Sequence, residues 1–279
     1  MIHRFFLPLL GAAALLAPWV PGPARAAALH LRYEAFWGGL HAADFTLSLD
    51  DGGIADGAPF RTDFTLRTRG LVDWIIALRV AAHSQGALVP KAGLRPARYD
   101  VAYANRRRDR ALHVAFDPDG GPAQATVTRD RKVDDPEPDN TETYGGTDAL
   151  DADLRRGVID PLTALVEAIR RARRDGAAMG DFTLAVYDGR RRFDVKGRYM
   201  ERSDRDILGT RHRVDRIRLT SVPLAGFRRI HKVLWNDSTY DLYLSTDGRA
   251  LPLQIDAVGP GPMINLVAEC PTACALPED

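Results

Sequence analysis

From Leu29 onward, apolar and polar residues alternate with a period of two, the spacing that sends successive side chains to opposite faces of a strand. In LRYEAFW one face carries Leu31, Tyr33, Ala35 and Trp37. Gly38-Gly39 then predicts a hairpin turn into AADFTLSL, where Ala43, Phe45, Leu47 and Leu49 alternate with Asp44, Thr46 and Ser48. The pattern returns in FRTDFTLRT and, more weakly, at 98–103, 112–116 and 125–128. In the second half it predicts strands at 182–187 and 191–199, joined by a two-residue turn at Asp188-Gly189, and four more near 214–221, 229–235, 238–245 and 251–258, with a turn at Asn236-Asp237.

Two stretches break the alternation. In DPLTALVEAIRRARRDG, Asp160 suits an N-cap, Pro161 the first helical position, and Leu162, Leu165, Val166 and Ile169 fall on one helical face. Arginines crowd the last turn and Gly176 can end it, so the spacing predicts one amphipathic helix over about 161–174. The second break is RGLVDWIIALR, in which Gly70 to Leu78 predicts a short helix or lip with Leu71, Trp74, Ile75 and Leu78 on one face and Asp73 in water. That cluster either plugs the core or rims a cavity holding an apolar ligand. Roughly a dozen strands with one helix between the halves predict a mainly β fold, a large curved antiparallel sheet or β-barrel.

Composition narrows the setting. Residues 1–26 have a short basic start, an apolar run from Phe5 to Val20 and Ala24-Arg25-Ala26 as a small-x-small site, which together predict a secretory signal cleaved near Ala26 to Ala28. No later segment is apolar for the roughly 20 residues a spanning helix needs. The expected product is a periplasmic chain with a single β-rich domain over 29–268, an exposed loop at 132–153 rich in acids, Pro and Gly, and a tail at 269–279. The 38 basic and 37 acidic residues nearly cancel, which argues against nucleic acid as a partner. Arginine clusters at 106–110 and 189–192 are either anion sites or solvated strand ends, and the adjacent Asp109 and Asp188 favour the latter.

Catalytic signatures are missing: no G-x-S-x-G, P-loop, G-x-G-x-x-G after a strand, or H-E-x-x-H occurs, so neither a cofactor nor a metal is expected. His83, His113 and His231 suit polar strand positions better than ligation. An envelope-polymer hydrolase would need converging carboxylates, for which Glu34, Asp73 and Asp100 are candidates indistinguishable from surface acids. Cys270 and Cys274 near the carboxyl end suit a disulfide in an oxidising compartment, with a soft-metal thiolate pair or free thiols as alternatives.

Taken together, YEAFWGGLHAADFTL, TRGLVDWIIALRVAAHSQG, GVIDPLTAL and VYDGRRRFDV resemble the DUF3108 family of exported bacterial proteins of unknown function. The resemblance implies a periplasmic β-rich protein and supplies no catalytic residues. A curved sheet with a helix at its open side also looks like the LolA/LolB type of lipid and lipoprotein carrier. The expected function is therefore a non-enzymatic protein binding a lipid or acylated molecule, with Leu71, Trp74, Ile75, Leu78, Leu162, Leu165, Val166 and Ile169 as candidate ligand-facing residues. The alternative is a packed barrel that engages an envelope protein partner.

Overall fold

The computed structural model describes residues 29–50, 57–90, 92–132, 150–227, 238–259 and 263–269. The expected signal segment, most of the expected 132–153 loop, the strand expected at 229–235 with His231 and the Asn236-Asp237 turn, and Cys270 with Cys274 lie outside these residues.

Among the described residues, the alternating segments fold into thirteen strands of one antiparallel sheet. In chain order they are β1 (Leu29–Trp37), β2 (Leu40–Asp50), β3 (Pro59–Thr68), β4 (Arg79–Val89), β5 (Gly93–Ala104), β6 (Arg108–Ala115), β7 (Gln124–Lys132), β8 (Phe182–Tyr187), β9 (Arg192–Ile207), β10 (Thr210–Ala225), β11 (Thr239–Ser245), β12 (Pro252–Val258) and β13 (Ile264–Ala268). Among the described residues two α-helices interrupt them, α1 (Gly70–Ile75) between β3 and β4, and α2 (Pro161–Asp175) between β7 and β8, with short 3-10 turns at Ala152–Arg155 and Gly176–Met179. The spatial order runs from β7 down to β1, then β13 down to β8. β13, which the alternation did not single out, is the strand that joins the halves, pairing Tyr33 to Trp37 of β1 on one side and β12 on the other.

The sheet is curved and open: β7 and β8 do not pair with each other. The chain entering α2 spans the gap between them. Ala123 donates its amide to the Arg155 carbonyl at 2.9 Å beside β7, and Ile159 exchanges amide bonds of 2.9 Å with Ala185 and Tyr187 of β8. Tyr99, Val114, Ala125, Val158, Leu162 and Tyr187 close the seam as a small apolar cluster.

α2 lies against the inner face. Asp160 caps it as the sequence predicts, accepting the Leu162 and Thr163 amides at 2.9 and 3.0 Å and the Ser84 and Thr163 hydroxyls at 2.8 and 2.5 Å. Burial pushes the Asp160 carboxyl above its ordinary pKa against these donors. Further along the helix, Glu167 accepts the Leu94 amide at the start of β5, and Val166, Ala168, Ile169 and Ala172 join the main core with Leu31, Leu47, Phe60 and Leu184.

Two local expectations need correction. The β8–β9 connection is four residues, 188–191, rather than the two-residue Asp188-Gly189 turn, because the Asp188 carboxylate accepts the amides of Arg190 and Arg191 at 3.0 and 2.7 Å and widens it. The long β9–β10 hairpin runs well past 199 to a turn at Leu208-Gly209, both with positive φ.

The outer face of β3 to β6 is polar. Asp63, His83, Asp100 and His113 stand directly opposite one another on successive strands, with Nδ1 contacts of 2.8 Å from His83 to Asp63 and from His113 to Asp100. Both histidines are thus polar strand positions, as expected.

Candidate functional site: a cavity between helix and sheet

The length of α2 decides how the concave face is used. A helix of 15 residues is about 22 Å long, whereas the 12 residues of β5 span roughly 40 Å. The cap at Ser84 sets the helix start near the middle of β4, and Glu167 at Leu94 carries it toward the start of β5. Among the described residues, no helix lies over the other half of the concave face, toward the end where α1 lies. A cavity of about 830 Å³ occupies that space.

Strand alternation supplies its walls. Val80 of β4, Tyr99, Val101 and Tyr103 of β5 and Leu112 of β6 form one side. Phe193 and Val195 of β9, Leu219 and Ser221 of β10 and Tyr240 of β11 form the other, and the first turn of α2, with Pro161, Ala164 and Leu165, forms the floor. Burial raises the pKa of the Tyr99 and Tyr240 hydroxyls, so both stay neutral at physiological pH. Ser221 is only 4 % exposed, and its hydroxyl has no hydrogen-bond partner among the described residues. A buried unpaired hydroxyl is unfavourable by about 1–3 kcal/mol.

Polar groups gather where the cavity meets the β5–β6 and β8–β9 turns. Arg108, Arg190 and Arg191 line it there. Asp130 of β7 accepts two bonds from Arg108, at 2.7 and 2.8 Å, and faces Arg110 Nη2 at 2.9 Å. Arg190 donates to the Tyr103 hydroxyl at 3.2 Å, and Arg191 to Asp188 at 2.7 Å. Burial first, and the neighbouring Arg110 charge second, lower the Arg190 pKa from its ordinary value. The two arginine clusters of the sequence therefore meet in space. Arg110 is 7 % exposed and is not the solvated strand end expected from its neighbour Asp109, because it shares the inner face of β6 with Leu112 and Val114.

The candidate ligand-facing residues separate into three groups. Leu78 and Leu165 line the cavity. Leu162, Val166 and Ile169 are buried in the core clusters, where they hold α2 to the sheet. Leu71, Trp74 and Ile75 are exposed, Trp74 by 73 %, so α1 is not the core plug that was one of its two readings. Its six residues bury none of their side chains, because the helix ends at Ile75 and Leu78 lies beyond Ala77, which adopts a positive φ of 52°. Asp73 is not simply in water either. It accepts Arg79 Nη1 at 2.6 Å and the Thr68 hydroxyl at 2.8 Å, which lower its pKa to about 2.

α1 belongs to an apolar rim at this same end of the sheet. Leu71, Trp74, Ile75 and Ile76 are exposed there, as are Trp37 and Leu40 at the β1–β2 turn and Met263 and Ile264 at the start of β13. Backbone bonds tie these parts together and to the cavity, from Arg106 N to Ile76 O and from Gly38 N to Met263 O.

The carboxylates considered for hydrolysis do not converge: Glu34 lies on β1, Asp73 on α1, and Asp100 on the outer face of β5, bonded to Arg98 and His113. No group of three or more metal-ligating side chains occurs among the described residues. Among them, no helix is long and apolar enough to cross a membrane. The residues that pattern reading missed are the cavity walls themselves; their signal was the inner-face alternation, which marks core and lining positions alike.

A beta-barrel-like protein of the DUF1849 domain of unknown function from Brucella abortus aligns with a TM-score of 0.46 and 7 % identity, over 86 % of this chain and 94 % of that one. A structure described as "a putative lipoprotein" from Parabacteroides distasonis aligns with a TM-score of 0.33 and 6 % identity, over 88 % and 95 % of the two chains. No curated protein matches the sequence. The family model "Protein of unknown function (DUF3108)" matches residues 32–262, and the chain belongs to that family.

Proposed function

We propose that this protein is a non-enzymatic periplasmic carrier or binding module that holds a lipid or acylated molecule in the cavity between α2 and the sheet. The observation that carries the reading is the cavity itself. Protein interiors are close-packed, with few voids larger than a water molecule, and about 830 Å³ within a curved sheet falls in the range of ~300–1,000 Å³ typical of ligand pockets. Its walls are dominated by aliphatic and aromatic side chains. Each ligand methylene transferred there gains about 0.8 kcal/mol. The exposed apolar rim beside the opening suits transfer of such a ligand from another apolar surface, and the signal-like residues 1–26 support the periplasmic setting.

Mass spectrometry of organic extracts from gently purified protein tests this, and a stoichiometric lipid is expected. The double variant Val101→Phe/Val195→Phe, which grows two facing walls into the cavity, should keep the fold and lose the lipid. A ligand-free wild type that binds no apolar probe and captures one envelope protein would instead support the packed interaction protein.

A further inference from the structure

The acyl cavity reading leaves one part of the site unexplained. Apolar ligands need no guanidinium groups, yet Arg108 and Arg190 line the cavity and Arg110 lies between the lining residues Arg108 and Leu112 on the inner face of β6. Arg110 is more than nine-tenths buried, and only its Nη2 is used, toward Asp130 at 2.9 Å. Its Nε and Nη1 have no hydrogen-bond partner among the described residues. An unpaired buried donor on a cation is more unfavourable than one on a neutral group, and Arg110 adds a second guanidinium to Asp130, which Arg108 already holds, leaving excess positive charge behind the wall that Arg108 and Arg190 present to the cavity.

Resting on the binding reading above, we propose that Arg108 and Arg190, backed by the buried charge of Arg110, recognise a compact anionic headgroup, a carboxylate or phosphate, on a ligand whose acyl chain fills the apolar cavity. The planar guanidinium presents parallel donors that match either anion. Arg190 sits on the β8–β9 turn and Arg108 on β6, so the headgroup bridges the two sides of the open sheet. Tyr103, already bonded to Arg190 at 3.2 Å, orients that guanidinium from β5. The chain then runs along Val101, Val195 and Leu219 toward Leu165 on α2. Neither arginine cluster has this geometry alone. The seam formed by 155–159 and the packing of Gly189 against Val114 and Leu112 bring them together.

Displacement of Nile red, a neutral apolar probe, from the delipidated full chain separates the two levels of the proposal. Oleate and hexadecyl phosphate should displace it at concentrations at least about tenfold below oleyl alcohol, the factor expected from one charge-assisted hydrogen bond of about 1.5 kcal/mol. Tighter binding of one acid than the other identifies the headgroup and supports the proposal. In Arg108→Gln/Arg190→Gln the preference should vanish while oleyl alcohol binds as before. Circular dichroism confirms folding, and the single variant Arg190→Gln, altered only at the turn, should lose most of the preference if the double variant is unstable. Equal displacement by acid and alcohol in the wild type overturns the headgroup assignment and leaves the apolar cavity standing. Failure of Nile red and all three amphiphiles to bind overturns the cavity reading as well.

Discussion

At the end of the sheet away from α1, the helix presses Val166, Ile169 and Ala172 onto the inner side chains of β1 to β3 and β8 to β12, and the interior is filled. Toward α1, the same kind of strand positions on β4 to β6 and β9 to β11 face a cavity of about 830 Å³ with arginines at its edge. The strands do not differ in pattern between the two ends. What differs is whether a helix covers them, and that follows from where Asp160 starts α2 and from a rise per residue in a helix about half that in a strand. Function is expected where the helix does not reach.

The contrast can be broken most forcefully by paired truncations on α2. Ile169→Ala removes a side chain that is enclosed on all sides and should destabilise the protein by about 3 kcal/mol. Leu165→Ala, one turn earlier on the wall of the cavity, should cost about 1 kcal/mol, because its atoms lack partners on one side. Urea midpoints at constant m give both values. Equal losses would mean that the cavity is packed. Next in size, Asp160→Ala should cost about 2 kcal/mol by removing the cap and leaving the Ser84 and Thr163 hydroxyls without the carboxylate. At the cavity end the sign reverses. Ser221→Val replaces a buried unpaired hydroxyl and should raise stability by about 1 kcal/mol, seen as a higher melting temperature. A loss there would show that Ser221 has a partner.

This division explains what could be read in advance. Period two marked most strands, and the cap-proline-stripe pattern marked α2 almost to the residue, since each is a local property of the chain. β13 escaped because INLVA is short and shows no alternation; its place is set by its partners β1 and β12. The stripe of α2 was legible as apolar, but whether Leu165 meets a cavity or Ile169 meets the core depends on positions one turn apart, below the reach of periodicity. Tyr99, Val101, Val195 and Leu219 went unmarked as lining residues for the same reason. The arginine clusters were noticed one at a time, and nothing local to either shows that 106–110 and 189–192 meet.

The smallest expected effect concerns the two helices themselves. α2 is held by a core, whereas α1 buries no side chain and is held by the Asp73 carboxylate bound to Arg79 and Thr68, together with a few backbone bonds. Those partners lower the folded-state pKa of Asp73 to about 2, below the ~3.9 of an unfolded aspartate. A depressed carboxylate contributes stability that is fully present above the unfolded value and is lost as pH falls from ~4 through about 2. The carbon-detected titration of Asp73 should therefore have its midpoint near 2 and move toward the unfolded value in Arg79→Gln. In that variant, amide hydrogen exchange should quicken at Asp73 and Ile76, whose amides close the two ends of α1 on the Arg69 and Val72 carbonyls, and stay unchanged at Ala164 in α2. Unchanged protection of α1 would show that its backbone bonds suffice to hold the rim. Faster exchange in α2 as well would mean that the two ends of the interior are coupled, which their separate anchoring does not predict.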